Sequence, residues 1–222
     1  MGMTAIQAFD QTMKRAVAQL NLYLELADQF RLTHADPSLS SDPKRSPETM
    51  TELDDLVRTS LVLAVSAFDA YFTDKFVESI VPFLKRYKAT DELVDLLSRA
   101  GLDTRTALDL IQMDRPYRRV RALLNRHLET YVTQRLEVID GLFLTIGLKN
   151  LSKNAQAKTG RKQLCKNVQH AIDRRHRIVH AGDLNDRGKV CPVGERQIAR
   201  RLECLAQFVH SSDEIIDHRL GT

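Results

Sequence analysis

The feature that most constrains the fold is the run LVLAVSAFDAYF, which forms the middle of residues 51–80 and is apolar around nearly the whole of a helix. A helix without a polar face is stable only when its neighbours cover it, so such a helix belongs at the centre of a bundle. Asp69 is the one charge within the run. Burying this carboxylate without a partner would cost several kcal/mol, so we expect Asp69 to pair with a basic side chain.

Helical spacing of apolar residues recurs along most of the rest of the chain. The first helix is expected over residues 4–33, and the second over 51–80, beginning at Thr51 and ending at Pro82. Shorter helices are expected over 91–100, over 104–113, from Pro116 onward and over 134–148, and a final helix over 194–219. These elements predict an all-α fold: one domain over residues 1–222, built as a helical bundle with two long antiparallel core helices plus shorter helices.

Two polar stretches separate these helices. Residues 34–50 hold three of the six prolines and four serines, a composition typical of a surface loop. Residues 148–162, LKNLSKNAQAKTGRK, are polar and basic, and we expect them to form a connector.

The composition indicates the kind of partner and the compartment that suit the chain. Its 33 basic and 29 acidic residues leave a net charge of +4, which permits an acidic partner such as nucleic acid without requiring one. The three cysteines form no CxxC pair, which favours a reducing compartment. No secretory signal pattern begins the sequence, and the longest apolar run, around Leu61–Ala67, is too short to span a bilayer. We therefore expect a cytoplasmic protein without membrane association.

The densest set of reactive side chains lies on a helix predicted over residues 161–180, RKQLCKNVQHAIDRRHRIVH, which Gly182 is expected to end. His176 and His180 are four positions apart and so share a face of that helix. Arg175 precedes His180 by five positions, which is about 140° round the helix. The two side chains can therefore contact the same small ligand group only if the helix end is distorted or if two chains contribute.

The string RHRIVH, from Arg175 to His180, matches the R-x4-H form of the signature of the HEPN superfamily. Its surroundings, RRHRIVHAGD, resemble the RiboL-PSP-like HEPN proteins. A second pair, Arg121 and His127, has a similar spacing but lacks the polar residue that follows the arginine in the finer pattern. The resemblance implies a helical bundle of HEPN type, a homodimer with the motif at its interface, and often metal-independent cleavage of RNA.

The resemblance also implies a role for each charged residue of the motif. Arg175 and His180 would be catalytic, and the supporting residues would be His176, Asp69, Arg174 and Arg177. Asp69 belongs to this set because Ser66–Tyr71 is similar to a segment in which HEPN proteins often carry an acidic residue. It would pair with the arginines and orient the catalytic Arg or His, although an ordinary structural ion pair explains the same charges as well.

Cleavage of RNA by its own 2′-hydroxyl needs a base, an acid for the leaving 5′-oxygen and positive charge at the phosphate. His180 can exchange a proton near neutral pH, and Arg175 offers a permanent planar cation. The expected products are a 2′,3′-cyclic phosphate and a 5′-hydroxyl, and neither a metal nor a cofactor is required. Asp173 and the two histidines would make an incomplete metal-ligand set, crowded by arginines.

A second basic region contains five arginines and two tyrosines. The arginines are Arg115, Arg118, Arg119, Arg121 and Arg126. Arginine suits phosphate oxygens, and Tyr117 and Tyr131 suit base stacking, which would make this region a path for the RNA backbone. A charge run of this kind is, however, more often the solvated face of an amphipathic helix.

Two functions follow from the resemblance. The first is a metal-independent endoribonuclease with a toxin- or defence-like role, with RNA as its substrate and an antitoxin or other regulatory protein as a partner. The second is a non-catalytic HEPN module that binds RNA or a nucleotide, or that only dimerises. The intact Arg175–His180 pair favours the enzyme. A plain helical interaction protein is the remaining hypothesis.

Overall fold

The computed structural model describes residues 2–34, 47–129, 131 and 135–221, without the side chains of residues 30–34 and 47–52. Over these ranges the chain forms nine helices and no strand: α1 (Ala5–His34), α2 (Pro47–Arg86), α3 (Asp91–Arg99), α4 (Thr104–Ile111), α5 (Pro116–Leu128), α6 (Leu136–Leu144), α7 (Leu151–Thr159), α8 (Leu164–Ala181) and α9 (Glu195–Leu220). One isolated antiparallel bridge joins Leu184 and Val190. The prediction of an all-α fold is confirmed.

The helices group into two compact units. We call one the aromatic unit; it comprises Met1–Phe9, Phe68–Cys165 and Gln207–Thr222. We call the other the motif unit; it comprises Asp10–Ala67 and Lys166–Ala206. Each boundary falls inside a helix, because α1, α2, α8 and α9 supply residues to both units. One domain over residues 1–222 stays a prediction.

Contacts between aromatic rings form the core of the aromatic unit. The ring of Phe72 on α2 lies with its centroid 4.9 Å from that of Phe68, 6.1 Å from that of Phe143 and 5.9 Å from that of Phe208, each in edge-to-face geometry. Such pairs contribute about 1 kcal/mol each beyond the burial of their area. They join α2 to α6 and α9 within this unit.

The apolar run of α2 is covered on part of its circumference only. Phe68 and Phe72 are fully buried, as expected of a central helix. Ser66 and Ala70 are exposed, and Asp69 is half-buried. The run thus forms a core helix, as expected, and part of its surface in the described residues faces solvent. The exposed positions carry small side chains, which lose little by remaining in water.

Helix α2 is longer at both ends than the sequence predicted. It begins at Pro47 instead of Thr51, and it continues past Pro82, where we expected it to end. A proline inside a helix costs about 3 kcal/mol. The neighbouring Val81 and Phe83 are buried, and their packing outweighs that cost.

By length and composition, Leu53–Arg86 of α2 is the one segment among the described residues that could cross a membrane. In its most apolar window, 56% of the residues are buried inside the protein, which is the pattern of a core helix. Arg58 and Lys75 lie within this segment, and both are buried against carboxylates of the chain itself.

The expected connector over 148–162 is wrong, because residues 151–159 form α7. The carboxylate of Asp140 on α6 accepts hydrogen bonds from the backbone N–H and the hydroxyl of Ser152, at 2.7 and 2.5 Å. A carboxylate at a helix N-terminus stabilises the helix. This cap comes from twelve residues upstream, so local composition did not reveal it. The predicted loop over 34–50 lies mostly outside the described residues, and its last four residues begin α2.

A buried charge cluster joins α2 to α9 within the aromatic unit. Nζ of Lys75 lies 2.6 Å from a carboxylate oxygen of Asp213 and 2.6 Å from one of Asp217. Burial opposes the charged form of Lys75, but the hydrogen bonds and charges of both aspartates outweigh burial and raise its pKa. The Tyr71 hydroxyl donates to Asp213 at 2.8 Å. Burial and the Asp213 charge raise the pKa of Tyr71 well above its usual value.

Candidate functional site

The R-x4-H motif occupies the last two turns of α8. Leu164, Val168 and Ile172 form the buried stripe of this helix, at the spacing that predicted it. The helix ends at Ala181, and Gly182 follows with a φ of +59°. The predicted motif helix and its glycine stop are therefore confirmed, with ends within three residues of those expected.

The two histidines of the motif lie side by side in solvent. His176 and His180 are both exposed, and their ring centroids are 4.5 Å apart at an interplanar angle of 44°. Arg177 is exposed as well, whereas Arg175 is half-buried. This difference in exposure fits the separation of about 140° between Arg175 and His180 on an ideal helix. Asp173, three positions before His176, accepts a hydrogen bond from Gln169 at 2.8 Å.

Arg174 is held by Asp183, which was not among the site residues predicted from the sequence. Its Nη2 donates to Oδ2 of Asp183 at 2.5 Å and to the carbonyl oxygen of Pro192 at 3.2 Å. Nε of Arg58, on α2, donates to the same Asp183 oxygen at 3.2 Å. Nη2 of Arg58 also donates to the carbonyl oxygen of Cys191 at 2.8 Å. We call Asp183 and these two arginines the Asp183 clamp.

Asp183 is fully buried and has a φ of +56°, a left-handed conformation that Asp and Asn tolerate better than most side chains. Its position directly after Gly182 was visible in the sequence as a polar residue at a helix end. Arg58 also left a sequence signal, because it stands one position after the buried Val57 and three before the buried Leu61. A charge at such a position needs a partner, and the sequence alone does not say which.

A further arginine of the motif unit lies near the motif. Burial lowers the pKa of Arg201 on α9, and so do the nearby guanidinium groups of Arg174 and Arg177, while Asp183 opposes them. Several cations thus surround one buried carboxylate at this end of α8. Such an excess of positive charge favours an anionic ligand. Within the described residues, no three His, Cys, Asp or Glu side chains are grouped so as to hold a metal ion.

The RiboL-PSP-HEPN family model matches residues 26–218 of the chain, which include the whole of α8. The chain belongs to the RiboL-PSP-HEPN family. Its nine described helices are consistent with the all-α architecture of a HEPN domain. HEPN membership indicates a nuclease or an RNA-binding module. No curated protein and no solved structure matches the chain.

The R-x4-H motif belongs to the motif unit, whereas Asp69 belongs to the aromatic unit. Asp69 is half-buried, and its backbone carbonyl accepts a hydrogen bond from the Thr73 hydroxyl at 3.3 Å. Its pairing with the arginines next to the motif stays a prediction. Arg174 has Asp183 as a carboxylate partner.

The basic region of this HEPN chain lies on and just before α5, in the aromatic unit. All five arginines predicted to bind RNA are exposed: Arg115, Arg118, Arg119, Arg121 and Arg126. Val120, Leu124 and Leu128 form the buried face of the helix. Nζ of Lys85 lies over the ring of Tyr117, 5.8 Å from its centroid. An RNA path and a solvated amphipathic face both fit this arrangement. The similarly spaced His127 is half-buried, with its ring 5.2 Å from that of Tyr131.

Proposed function

We propose that this HEPN protein is a metal-independent endoribonuclease. The observation that carries the proposal is the exposed pair of histidines, His176 and His180, on the last turns of α8, within a signature that also holds Arg175. Exposure leaves both imidazoles open to a substrate as large as RNA. A toxin- or defence-like role and an antitoxin or other regulatory partner belong to the same proposal and rest on the family. A cytoplasmic location also belongs to it and rests on the cysteine usage.

The reaction proceeds by attack of the RNA's 2′-hydroxyl on the adjacent phosphorus. One imidazole accepts the proton of the hydroxyl, and a second acid group gives a proton to the leaving 5′-oxygen. His180 serves in this exchange because imidazole changes its charge near neutral pH. The guanidinium of Arg175 stabilises the added negative charge on the phosphate oxygens. The P–O bond to the 5′-oxygen breaks, which leaves a 2′,3′-cyclic phosphate and a 5′-hydroxyl.

A second copy of the chain completes the site in this proposal. Arg175 and His180 leave the helix in different directions, so one chain presents them poorly to a single phosphate. Three exposed apolar side chains lie within the motif or in the segment after it: Val179 is 47% exposed, Leu184 47% and Val190 42%. Leu184 and Val190 also pair across the antiparallel bridge that follows α8. An apolar patch beside a charged motif suits a protein partner, and a homodimer would bring an Arg and a His from each chain to one cleft.

In this proposal α5 also binds RNA. Residues 99–126 contain seven arginines, no lysine and three acidic residues. The remaining 26 basic and 26 acidic residues (33 less seven and 29 less three) balance, so the formal net charge of +4 lies entirely in this segment. Such a local excess attracts a polyanion by releasing its counterions. The same observation favours the second candidate function, an RNA-binding HEPN module without catalysis, because α5 lies apart from the motif in the sequence.

The proposal is tested by incubating a mixed-sequence RNA with the full chain in excess EDTA. The wild type is expected to cleave the RNA, and His180→Ala is expected to be inactive. His170→Ala is the matched control, since His170 is an exposed histidine of the same helix, and His127→Ala tests the second Arg–His pair. Both controls should cleave at the wild-type rate. If neither the wild type nor any variant cleaves RNA but the protein binds RNA in a salt-sensitive way, the function is that of the RNA-binding module and not that of the enzyme.

A further inference from the structure

We infer that Asp183 is a positioning residue for the R-x4-H motif: it fixes the last turn of α8, and with it the place of His180, by binding Arg58 and Arg174 while its backbone closes the helix. This inference rests on the proposed nuclease function for its kinetic consequence. Its structural part concerns contacts within the motif unit alone.

The backbone of Asp183 joins the end of α8 to the segment that follows it. Its N–H donates to the carbonyl oxygen of Arg177 at 3.1 Å, and its carbonyl oxygen accepts from the N–H of Cys191 at 2.8 Å. The bond from Asp183 to Arg177 spans six positions, one more than the 6→1 bond that closes many helix ends, and it likewise accompanies a turn through left-handed residues. Gly182 and Asp183 supply those residues here, with φ values of +59° and +56°. The chain therefore leaves the helix in one defined direction.

The side chain of Asp183 adds two charged contacts to the same point. Oδ2 accepts from Nη2 of Arg174 at 2.5 Å and from Nε of Arg58 at 3.2 Å. The Arg58 side chain is 6% exposed and the Asp183 side chain is fully buried, so these are charge-assisted bonds in a site of low dielectric. Helix α2 is thereby tied to the residue that immediately precedes the motif arginine.

His180 lies between the two residues that the backbone bond from Asp183 to Arg177 joins. Arg177 is anchored through its carbonyl oxygen, three residues before His180, and Asp183 itself lies three residues after it. The His180 side chain is exposed and contacts the ring of His176, which is exposed too. Because both side chains are exposed, the place of their Cα and Cβ atoms is set by the backbone of this turn. Asp183 sets that backbone through its hydrogen bonds.

The decisive variant is Asp183→Asn, which keeps the size of the side chain and its tolerance of a positive φ but removes the charge. Asp186→Asn is the matched control, because Asp186 is an exposed aspartate three residues later in the same turn segment. We expect Asp183→Asn to lower kcat on RNA by about tenfold or more, since a displaced catalytic group loses rate steeply, while KM stays within about twofold. Asp186→Asn should leave both within about twofold.

A second readout does not depend on cleavage. The ring-proton NMR signal of His180, assigned with His180→Ala, should shift in Asp183→Asn towards its position in the unfolded chain and stay in place in Asp186→Asn. If wild-type protein fails to cleave RNA, the proposed function is lost, and this signal still decides the role of Asp183. An unmoved His180 signal together with a wild-type kcat would overturn the inference, as would a rise in KM that accounts for the whole loss of activity.

If Asp183→Asn does not fold, Arg58→Lys replaces it. Lysine keeps a cation at the buried position but cannot donate to Oδ2 of Asp183 and to the Cys191 carbonyl oxygen with one planar group. We expect a folded protein with a kcat a few-fold below that of the wild type and a smaller shift of the His180 signal. A variant that matches the wild type in both measurements would contradict the inference.

Discussion

The imidazole rings of His176 and His180 lie with their centroids 4.5 Å apart on an exposed surface of α8. Both side chains are exposed, and under the proposed function the groups that complete the reaction centre come from the substrate or from a second copy of the chain. The half-buried Arg175, five positions before His180, is directed elsewhere on the helix. A dimeric site resolves this geometry and can be tested without knowing the RNA sequence.

Mixing two inactive variants tests whether the site is shared between chains. Arg175→Ala and His180→Ala should each be inactive alone, because each removes one kind of catalytic group from both chains. After the two are unfolded together and refolded as a mixture, about half of the dimers contain one intact Arg175 and one intact His180 on opposite chains. We expect cleavage to reappear in the mixture. A mixture as inactive as its components would show that Arg175 and His180 act within one chain.

Substitutions on α5 test the RNA path. Removing Arg118 and Arg119 together should weaken RNA binding and reduce the slope of log K against log salt by about 1.4, since each phosphate contact contributes about 0.7 on single strands. Lys14→Ala with Arg15→Ala removes the same charge from exposed positions of α1 and serves as the control. Equal losses from both pairs would mean that α5 presents a solvated face and no RNA path.

The buried Lys75 is expected to stabilise the aromatic unit. Its side chain is 9% exposed and lies between the carboxylates of Asp213 and Asp217. Lys75→Met would leave both carboxylates without their cation, and we expect the free energy of unfolding in urea to fall by about 3 kcal/mol. The exposed pair of Lys158 and Glu214 provides the control, and Lys158→Met should cost less than about 1 kcal/mol. Similar losses from both variants would contradict this account of the cluster.

The buried Tyr71 is expected to make the free energy of unfolding depend on pH above about pH 10. Burial, with the charge of Asp213, raises the pKa of Tyr71 well above 10.0, so the folded chain keeps this proton while the unfolded chain releases it. The unfolded state then binds fewer protons, and the free energy of unfolding decreases as the pH rises above 10. Below pH 10 both states hold the proton and the effect vanishes.

The measurement compares urea unfolding at pH 8 and pH 11 for the wild type and Tyr71→Phe. The decrease in stability between the two pH values should be smaller in Tyr71→Phe, because phenylalanine has no proton to lose. Lys75, whose pKa is raised too, leaves part of the decrease in place. Tyr117→Phe, at an exposed tyrosine, should behave like the wild type. An unchanged decrease in Tyr71→Phe would count against the buried tyrosine as its source.

Local signals made most of the fold predictable from the sequence. Pro116 begins α5 and Gly182 follows α8, as their backbone preferences require. Packing overrode local signals elsewhere: Pro82 lies inside α2, and Asp140 caps α7 from another helix. A proline on its own predicts the end of a helix, so the continuation of α2 past Pro82 was not expected. A capping residue that is distant in the sequence cannot be identified from the residues next to the helix.

Of the candidate site, too, one part could be predicted from the sequence and another part could not. The side chains of the motif could be selected because they lie within six consecutive residues of one helix, from Arg175 to His180. The Asp183 clamp could not, because Arg58 and Asp183 are 125 positions apart in the sequence and meet only in the folded chain. The sequence predicts that a buried arginine pairs with some carboxylate. Which of several carboxylates it pairs with is decided by the tertiary structure.

The most direct test of the central claim is the chemistry of the RNA ends produced by wild-type protein in excess EDTA. Attack by the 2′-hydroxyl, with His180 and Arg175 assisting, predicts fragments that end in a 2′,3′-cyclic phosphate and begin with a 5′-hydroxyl, and that RNA methylated at every 2′-oxygen stays intact. Fragments with 5′-phosphate and 3′-hydroxyl ends, or cleavage of the methylated RNA, would contradict the account, because water and not the RNA's own hydroxyl would then be the nucleophile.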